Sequence, residues 1–317
     1  MRIVLIGGTG HIGTYLVPRL LWAGHEVFVV SRGSREAYLP DPAWERVERA
    51  TLDREKLEAK GEFGEAIADL KPEVVIDLIC FTRQSCEQLV QALRGKVRHL
   101  LSCGTIWVHG HSEAVPTTEA APRRPFGEYG IRKAELEAYL LEISRKERFP
   151  ATTIHPGHIV GEGWAPLNPE GHFGTAVWKQ IARGEKLLLP NLGLESLHHV
   201  HADDVARLFI AAMERWSVSV GESFHAVSPQ ALTLRGYAEA AFRWYNREPN
   251  IEFVPWPELR ERIEEKAAGF IWDHIAHSPC CSNQKAREML AWEPRFTSLE
   301  AVRESVSYAE KWGDFDG

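Results

Sequence analysis

The sequence predicts an α/β fold in which a doubly wound parallel sheet carries a smaller C-terminal cap. Three observations support this prediction: apolar runs alternate with amphipathic segments in the first half, the runs contain few polar residues, and the alternation ends near residue 160. Strands that are apolar throughout need helices on both faces of their sheet. With 317 residues, 44% of them hydrophobic, the chain is long enough for such a core.

The predicted elements follow one another in βα order and make the first half Rossmann-like. A short strand begins at residue 3, a helix follows the glycines after it, and this succession of strand, loop and helix is repeated up to residue 154. Strands are expected at 3–6, at 27–30, before Asp53, and at 74–78, 99–102 and 151–154; helices are expected at 11–23, 62–70, 84–93 and 129–146.

The regular pattern loosens after residue 160. Residues 161–194 are rich in Gly, Pro and Asn, and further helices are expected near 175–182, 233–247, 259–267 and 299–312. We therefore expect residues 1–160 to form the main domain, with residues 196–227 returning to it. Residues 161–195 and 228–317 are expected to form the cap.

Charge and cysteine content argue against several classes of protein. The formal net charge is -7 and the pI is near 6.1, so the chain has no field that would attract nucleic acid in bulk. No apolar run approaches the ~20 residues of a membrane span, and no export signal is visible. The five cysteines show neither CxxC nor a disulfide framework. We expect a cytoplasmic, reduced protein.

A glycine-rich loop connects the first predicted strand to the first predicted helix, with the sequence GGTGHIG over residues 7–13. In this context glycines allow a tight turn, a close approach of the backbone to a pyrophosphate, and close packing of helix on sheet. The helix N-terminus offers free N–H groups to the same phosphates. The loop therefore predicts a bound dinucleotide, with contacts from Gly7, Thr9, Gly10, His11, Ile12 and Gly13.

The loop after the second predicted strand indicates which dinucleotide is bound. An NAD-selective loop usually has an acid there, whereas this one reads SRGSR over residues 31–35. Arg32 and Arg35 could bind a 2′-phosphate through charge-assisted hydrogen bonds, so NADP(H) is favoured. If both arginines are only surface charges, NAD(H) is the alternative. Asp53, after the third strand, is placed to reach the adenine amino group.

A phenol and an ammonium group lie one helical turn apart in the predicted helix 129–146. Lys133 is four positions after Tyr129, so the two side chains share a face of the helix. A phenol is a poor acid or base at neutral pH, but a nearby cation stabilises the phenolate and lowers the phenol pKa. Tyr129 could then exchange a proton with a substrate oxygen while hydride moves to or from a nicotinamide.

Together, the glycine loop and the Tyr129–Lys133 pair resemble the extended short-chain dehydrogenases/reductases of the NAD-dependent epimerase/dehydratase family. The resemblance covers nearly the whole chain, with further matches at residues 77–80, 102–105, 155–158 and 201–206. It implies that Thr105 hydrogen-bonds the reacting oxygen beside Tyr129. It also implies cofactor contacts from Leu78, Ile79, Cys80, Pro156, Gly157 and His158.

The chain departs from the sugar-nucleotide enzymes of this family near the expected substrate. The acidic pair that dehydratases carry after the threonine is replaced by Ile106 and Trp107, which disfavours a 4,6-dehydratase. His158 and approximately Leu197 stand where such enzymes often use Asn and Arg to hold the diphosphate. Substrate contacts are expected from Phe81, Trp107, His158 and Trp178, although tryptophans at such spacing are more often core residues. The histidines show no metal-site spacing, so no metal is expected.

These features favour an NAD(P)-dependent oxidoreductase or epimerase acting on a hydroxyl or carbonyl of a small sugar-like or sugar-nucleotide-like substrate. An NADPH-dependent carbonyl reductase of a non-nucleotide small molecule is one alternative. The chain also resembles chloroplast stem-loop-binding proteins, which use this fold around RNA, so a non-catalytic RNA-binding or cofactor-sensing protein is another. The family resemblance further implies a homodimer that packs through residues 84–93 and 129–146.

Overall fold

A parallel sheet lies at the centre of the computed structural model, which describes residues 1–312. The strands are β1 (Arg2–Ile6), β2 (Glu26–Ser31), β3 (Glu48–Thr51), β4 (Val74–Asp77), β5 (His99–Cys103), β6 (Ala151–Pro156), β7 (His158–Val160), β8 (Leu187–Pro190), β9 (Ser196–Leu197), β10 (His199–His201), β11 (Ser223–Ala226), β12 (Leu232–Thr233) and β13 (Ile251–Val254). The helices are α1 (His11–Trp22), α2 (Arg54–Glu58), α3 (Phe63–Ala68), α4 (Arg83–Leu93), α5 (Gly127–Glu147), α6 (Ala176–Arg183), α7 (Ala202–Glu214), α8 (Trp216–Ser219), α9 (Leu234–Trp244), α10 (Trp256–Glu261), α11 (Glu265–His277), α12 (Gln284–Leu290) and α13 (Ser298–Trp312), with 3₁₀ helices at Pro42–Arg46 and Ile106–His109. No helix within residues 1–312 is long and apolar enough to cross a membrane.

The seven-stranded central sheet has the strand order β11-β6-β5-β4-β1-β2-β3, and all neighbouring strands are parallel. The chain starts in β1 and moves outward to β3, then returns to β4 beside β1 and moves outward in the opposite direction. This reversal opens a crevice at the carboxyl ends of β1 and β4, where α/β sheets bind their ligands. The predicted doubly wound α/β class is confirmed.

Two apolar cores cover the two faces of the sheet. Alternate residues of β1 enter different cores: Ile3 and Leu5 pack with α1 and α7, whereas Val4 and Ile6 pack with α3, α4 and α5. This division follows from the two-residue side-chain period of a strand. It explains why the predicted strands are apolar throughout, since neither face of the sheet meets solvent.

A third core lies among α6, α9, α11 and α13 and includes Tyr237 and Phe242. Short two-stranded sheets accompany these helices, among them β8 with β13. Not all of the C-terminal part of the chain packs in this third core. Ala286, Leu290 and Trp292, from α12 and the segment after it, lie in the first core of the central sheet.

The predicted helix 259–267 is wrong, because this part of the chain contains two helices. Residue Glu264 has extended backbone geometry, with φ -60° and ψ 142°, and separates α10 from α11. α11 continues beyond the predicted end because Ala268, Ile271 and Ile275 maintain a helical spacing of buried apolar side chains. The last turns of α11 bring two histidines towards the site described below.

Candidate active site

The glycine loop connects β1 to α1 at the crevice. Gly7 has φ +83°, a left-handed conformation that favours glycine, and a Cβ there would lie 2.7 Å from Ile79 Cγ2. Gly10 caps α1 in an extended conformation, so the N–H groups of the first turn have no partners within the helix. A Cβ at Gly13 would lie 2.0 Å from the carbonyl oxygen of Gly8. The loop fits a dinucleotide because it offers backbone donors in a cradle that side chains would fill.

We predict that Gly13→Ala weakens both the fold and dinucleotide binding. The added methyl group cannot occupy a position 2.0 Å from an oxygen atom, so α1 must shift, at a cost of about 1–3 kcal/mol in the free energy of unfolding. Gly269→Ala is the matched control: a Cβ there meets nothing within 4 Å, and alanine favours the helix by about 1 kcal/mol. Urea unfolding and NADPH fluorescence titration measure the two effects. Equal results for the two variants would contradict the close packing at Gly13.

The glycine loop borders a cavity of about 730 Å³, a size typical of small-molecule sites. Arg32 and Arg35 are exposed at its edge, where they are available to an anion. The predicted cofactor residues in its wall are Gly7, Thr9, Gly10, Arg32, Arg35 and Ile79, and Ser31, Ser34 and Phe81 lie beside them.

His11 and Ile12 can contact a dinucleotide only through their backbone. The side chain of Ile12 enters the first core. The ring of His11 stacks on Trp164, with 4.7 Å between centroids, and hydrogen-bonds to the hydroxyl of Tyr38. The predicted contacts of these two residues are therefore limited to the N–H groups at the start of α1.

Asp53 does not line the cavity. Its carboxylate accepts the Lys56 N–H at 3.2 Å as the N-cap of α2 and pairs with the Lys56 ammonium at 2.9 Å. The predicted contact with adenine stays a prediction, because a carboxylate that caps a helix and pairs with one ammonium group can still accept a further hydrogen bond. Leu52 and Arg54 contribute to the cavity wall instead.

Arg54 is a cavity residue that the sequence analysis missed. Its guanidinium donates to both carboxylate oxygens of Asp77, at 3.0 and 2.9 Å, and to Glu58 at 2.6 Å. It also reaches the thiol of Cys80 at 3.2 Å. Asp77 in turn accepts the backbone N–H of Ile79 at 3.1 Å. This buried ion group therefore ties α2 to the end of β4, and no short motif signals it because its partners meet only in the folded chain.

Thr105, Tyr129 and Lys133 come together beside the cavity. The ammonium of Lys133 donates to the carbonyl oxygens of Cys80 and Cys103, each at 2.7 Å, and lies 5.9 Å from the centroid of the Tyr129 ring. Tyr129 is 44% exposed, yet its surroundings are dense enough that burial raises its pKa to about 12, while a hydrogen bond with the Thr105 hydroxyl acts in the opposite direction. The expectation that a neighbouring lysine lowers the phenol pKa is therefore wrong for this structure, because burial has the largest effect on the phenol. The arrangement combines a phenol, a hydroxyl group and an ammonium group.

Two turns that the family resemblance places near the nicotinamide lie at the crevice. Leu78 and Ile79 follow β4, and Ile79 lines the cavity. Pro156 ends β6, and a Cβ at the next residue, Gly157, would lie 2.3 Å from the carbonyl oxygen of His198. The turn after β6 therefore needs glycine at this position for close packing against the backbone of His198.

A cluster of rings, formed by Trp107, His158, His274 and His277 and here named the ring cluster, lies next to Tyr129. Trp107 stacks on His277 with 4.1 Å between centroids and meets His274, Tyr129 and His158 edge-on at 5.1, 6.1 and 6.3 Å. Burial lowers the pKa of His274 and of His277 to about 4, and it lowers the pKa of His158 well below the usual range. The cluster is therefore uncharged at neutral pH. Both ring nitrogens of His158 are buried without a hydrogen-bond partner in residues 1–312.

The remaining predicted substrate residues take different positions. Phe81 lies over the Lys133 ammonium, with 4.7 Å between Nζ and the ring centroid. Trp178 is 1% exposed and packs near Tyr237 in the third core. The prediction that Trp178 contacts substrate is wrong, because a side chain inside this core does not reach a ligand.

Comparisons with known proteins identify relatives of the whole fold. A 2'-dehydrokanamycin reductase of Streptomyces kanamyceticus is 27% identical over 280 residues, which cover 87% of this chain and 76% of the relative. The chloroplast stem-loop binding protein of 41 kDa b of Arabidopsis thaliana is 25% identical over 315 residues, which cover 96% and 78%. The crystal structure of a UDP-glucose 4-epimerase from Thermotoga maritima has the same fold, with a TM-score of 0.76, 22% identity and coverage of 99% and 100%.

A family model gives the more specific result. The model described as the NAD dependent epimerase/dehydratase family matches residues 3–225. This range begins in β1, ends in β11 and contains the glycine loop, Thr105, Tyr129 and Lys133. The chain therefore belongs to the NAD dependent epimerase/dehydratase family of NAD(P)-dependent short-chain enzymes.

Proposed function

We propose that the protein is an NAD(P)-dependent oxidoreductase or epimerase that acts on a hydroxyl or carbonyl of a sugar or sugar-nucleotide-like substrate, with Tyr129 as the acid or base. The observation that carries this proposal is the meeting of Thr105, Tyr129 and Lys133 next to Phe81, a residue in the wall of the cavity that the glycine loop borders. Residues 1–160 and 196–227 would hold the cofactor, and residues 161–195 and 228–317 would cover the substrate.

The nicotinamide, when bound, would accept or donate the hydride. A phenol is protonated at neutral pH, and burial raises the pKa of Tyr129 further, to about 12. In this state it can donate a proton to the oxygen of a carbonyl that is being reduced. Thr105 would hydrogen-bond the same oxygen and share its developing charge. The Lys133 ammonium, 5.9 Å from the centroid of the Tyr129 ring, would stabilise the phenolate that proton donation leaves.

An NADPH-dependent carbonyl reductase of a non-nucleotide small molecule is the second candidate. The uncharged ring cluster favours it, because neutral imidazoles and an indole offer no cation to a diphosphate. The protonated phenol also suits reduction. One of the relatives, the 2'-dehydrokanamycin reductase, is named as a reductase, which agrees with the second candidate.

The preference for NADP(H) is part of the proposal and can be tested at Arg32. We expect Arg32→Ala to weaken NADPH binding by about 10- to 100-fold, because a hydrogen bond to a charged group contributes about 1.5–3 kcal/mol. The Kd for NADH should stay unchanged, which makes NADH the internal control for folding. Tryptophan-fluorescence titration of the wild type and the variant with both cofactors gives the four constants. Better binding of NADH than NADPH by the wild type would assign Arg32 to the surface.

Turnover assays separate the two catalytic candidates. Purified protein is incubated with UDP-galactose to follow epimerisation, and with NADPH plus either phenanthrenequinone or a keto sugar to follow loss of NADPH absorbance. Epimerisation, or NADPH oxidation with the keto sugar, supports the first candidate, and NADPH oxidation with phenanthrenequinone alone supports the second. Failure to bind NAD, NADH, NADP and NADPH would remove both and favour an RNA-binding role.

A further inference from the structure

A continuous set of buried hydrogen bonds lies beneath Thr105. The backbone N–H of Thr105 donates to Nδ1 of His155 at 2.9 Å, and Nε2 of His155 lies 2.9 Å from Oε1 of Glu137. Arg123 donates to both oxygens of Glu137, at 2.9 and 2.6 Å. Because Nδ1 accepts a hydrogen bond, the ring proton belongs on Nε2, where it is donated to the carboxylate.

The chain holds this carboxylate charged although it is almost completely buried. His155 and Glu137 are 0% and 1% exposed. Burial alone would raise the pKa of Glu137, but His155 and Arg123 lower it below its usual range. A buried charge is expensive unless it is paired and hydrogen-bonded. The arrangement therefore fixes the orientation of the His155 ring more firmly than apolar packing alone would.

The same helix that carries the reactive pair also carries Glu137. In α5, Glu137 is four residues after Lys133 and eight after Tyr129, so all three lie along one side of the helix. The His155 ring fills the space under residue Gly104, where a Cβ would lie 2.3 Å from Nδ1. Thr105 follows β5, and its backbone N–H is hydrogen-bonded to this ring. The Thr105 hydroxyl caps the 3₁₀ helix by accepting the Trp107 N–H at 3.3 Å.

We propose that His155, oriented by Glu137, is a positioning residue that holds the backbone of Thr105 so that its hydroxyl faces Tyr129. This inference rests on the proposed function, since it assigns a role in the reaction of Thr105 and Tyr129. Glu137 ties the position of Thr105 to α5, so the threonine and the tyrosine keep their relative distance. The bonds from His155 act on the catalytic hydroxyl only through the backbone.

Two substitutions of His155 separate its two hydrogen bonds. Asn places its amide oxygen where Nδ1 lies, so His155→Asn keeps the acceptor for the Thr105 N–H and loses the hydrogen bond to Glu137. Gln extends to the position of Nε2, so His155→Gln keeps the contact with Glu137 and loses the acceptor for Thr105. We expect His155→Gln to lower kcat by about 10- to 100-fold, because small misplacements of a catalytic group have effects of this size. His155→Asn should retain most of kcat, and KM and the Kd for NADPH should be unchanged in both variants.

His99 provides a matched control on the neighbouring strand. It is 1% exposed, and its Nε2 bonds to the hydroxyl of Thr152 at 2.8 Å, away from Thr105. His99→Gln should keep this hydrogen bond, because Gln extends to the position of Nε2, and should leave kcat unchanged. Hydrogen exchange of the Thr105 amide gives a second measurement that needs no substrate: we expect faster exchange in His155→Gln than in the wild type, His155→Asn or His99→Gln.

The outcomes distinguish this inference from the proposed function. If the wild type turns over none of the probes named above, the proposed function fails and the positioning role fails with it. If the wild type is active but His155→Gln matches His99→Gln in kcat and in Thr105 exchange, only the positioning role is overturned. Should the His155 variants not fold, Glu137→Gln is used instead: a several-fold loss of kcat at constant KM supports the role, and unchanged kcat overturns it.

Discussion

Replacing Tyr129 by Phe is expected to lower kcat by about 10²- to 10⁴-fold, the usual contribution of a positioned acid or base. The variant keeps the ring that meets Trp107 edge-on and lies 5.9 Å from the Lys133 ammonium, and it lacks only the hydroxyl group. NADPH binding and the unfolding temperature should therefore change little. Steady-state kinetics with the probe that the wild type turns over, together with NADPH titration, measure the effect.

Tyr139→Phe is the matched control for this experiment. Tyr139 lies on the same helix, α5, and its ring contacts Arg83 rather than the cavity. Removal of the Tyr139 hydroxyl group should leave kcat unchanged. If Tyr129→Phe keeps full activity on a confirmed substrate, the phenol is not the acid, and if cellular function is kept without turnover, a cofactor-sensing role becomes the better explanation.

The parts of the fold that the sequence predicts are those set by local pattern. The strands of the central sheet are buried on both faces, so their apolar runs identify them in the sequence. The glycine loop can be recognised because close neighbours leave no space for a side chain at Gly7 and Gly13. The predicted helix 259–267 fails because an extended residue, Glu264, interrupts the segment without a Pro or Gly to signal the break. The prediction that Trp178 contacts substrate is wrong for a different reason. The sequence shows which face of α6 is apolar, but it does not show whether that face packs in a core or contacts a ligand.

The polar part of the site depends on tertiary contacts, which limits its prediction. Tyr129 and Lys133 are recognised from their spacing, and Thr105 is recognised from the family resemblance. Arg54 pairs with Asp77 across two elements, and the ring cluster depends on how far α11 extends, so neither follows from spacing in the sequence. Glu137 is a partial exception, since its position in register with Tyr129 and Lys133 on α5 could have been noted.

The second large effect is expected on stability, from removal of the buried charge of Arg54. Arg54→Met should lower the free energy of unfolding by about 3–5 kcal/mol, because it leaves the carboxylates of Asp77 and Glu58 without their cation. The side chains of the three residues are only 10%, 2% and 15% exposed, so the two carboxylates would be poorly solvated without the guanidinium. The urea unfolding midpoint, with the slope held equal, measures this loss.

An exposed pair of the same chemical type tests whether burial is the cause. Arg49 pairs with Glu36 at 2.6 Å, and their side chains are 45% and 70% exposed, so Arg49→Met should cost about 0–1 kcal/mol. Similar losses in both variants would show that the Arg54 charge is not needed to hold Asp77. A large loss confined to Arg54→Met would assign it a structural role at the end of β4. Since Asp77 also accepts the N–H of Ile79, that variant should bind NADPH more weakly even under conditions where it remains folded.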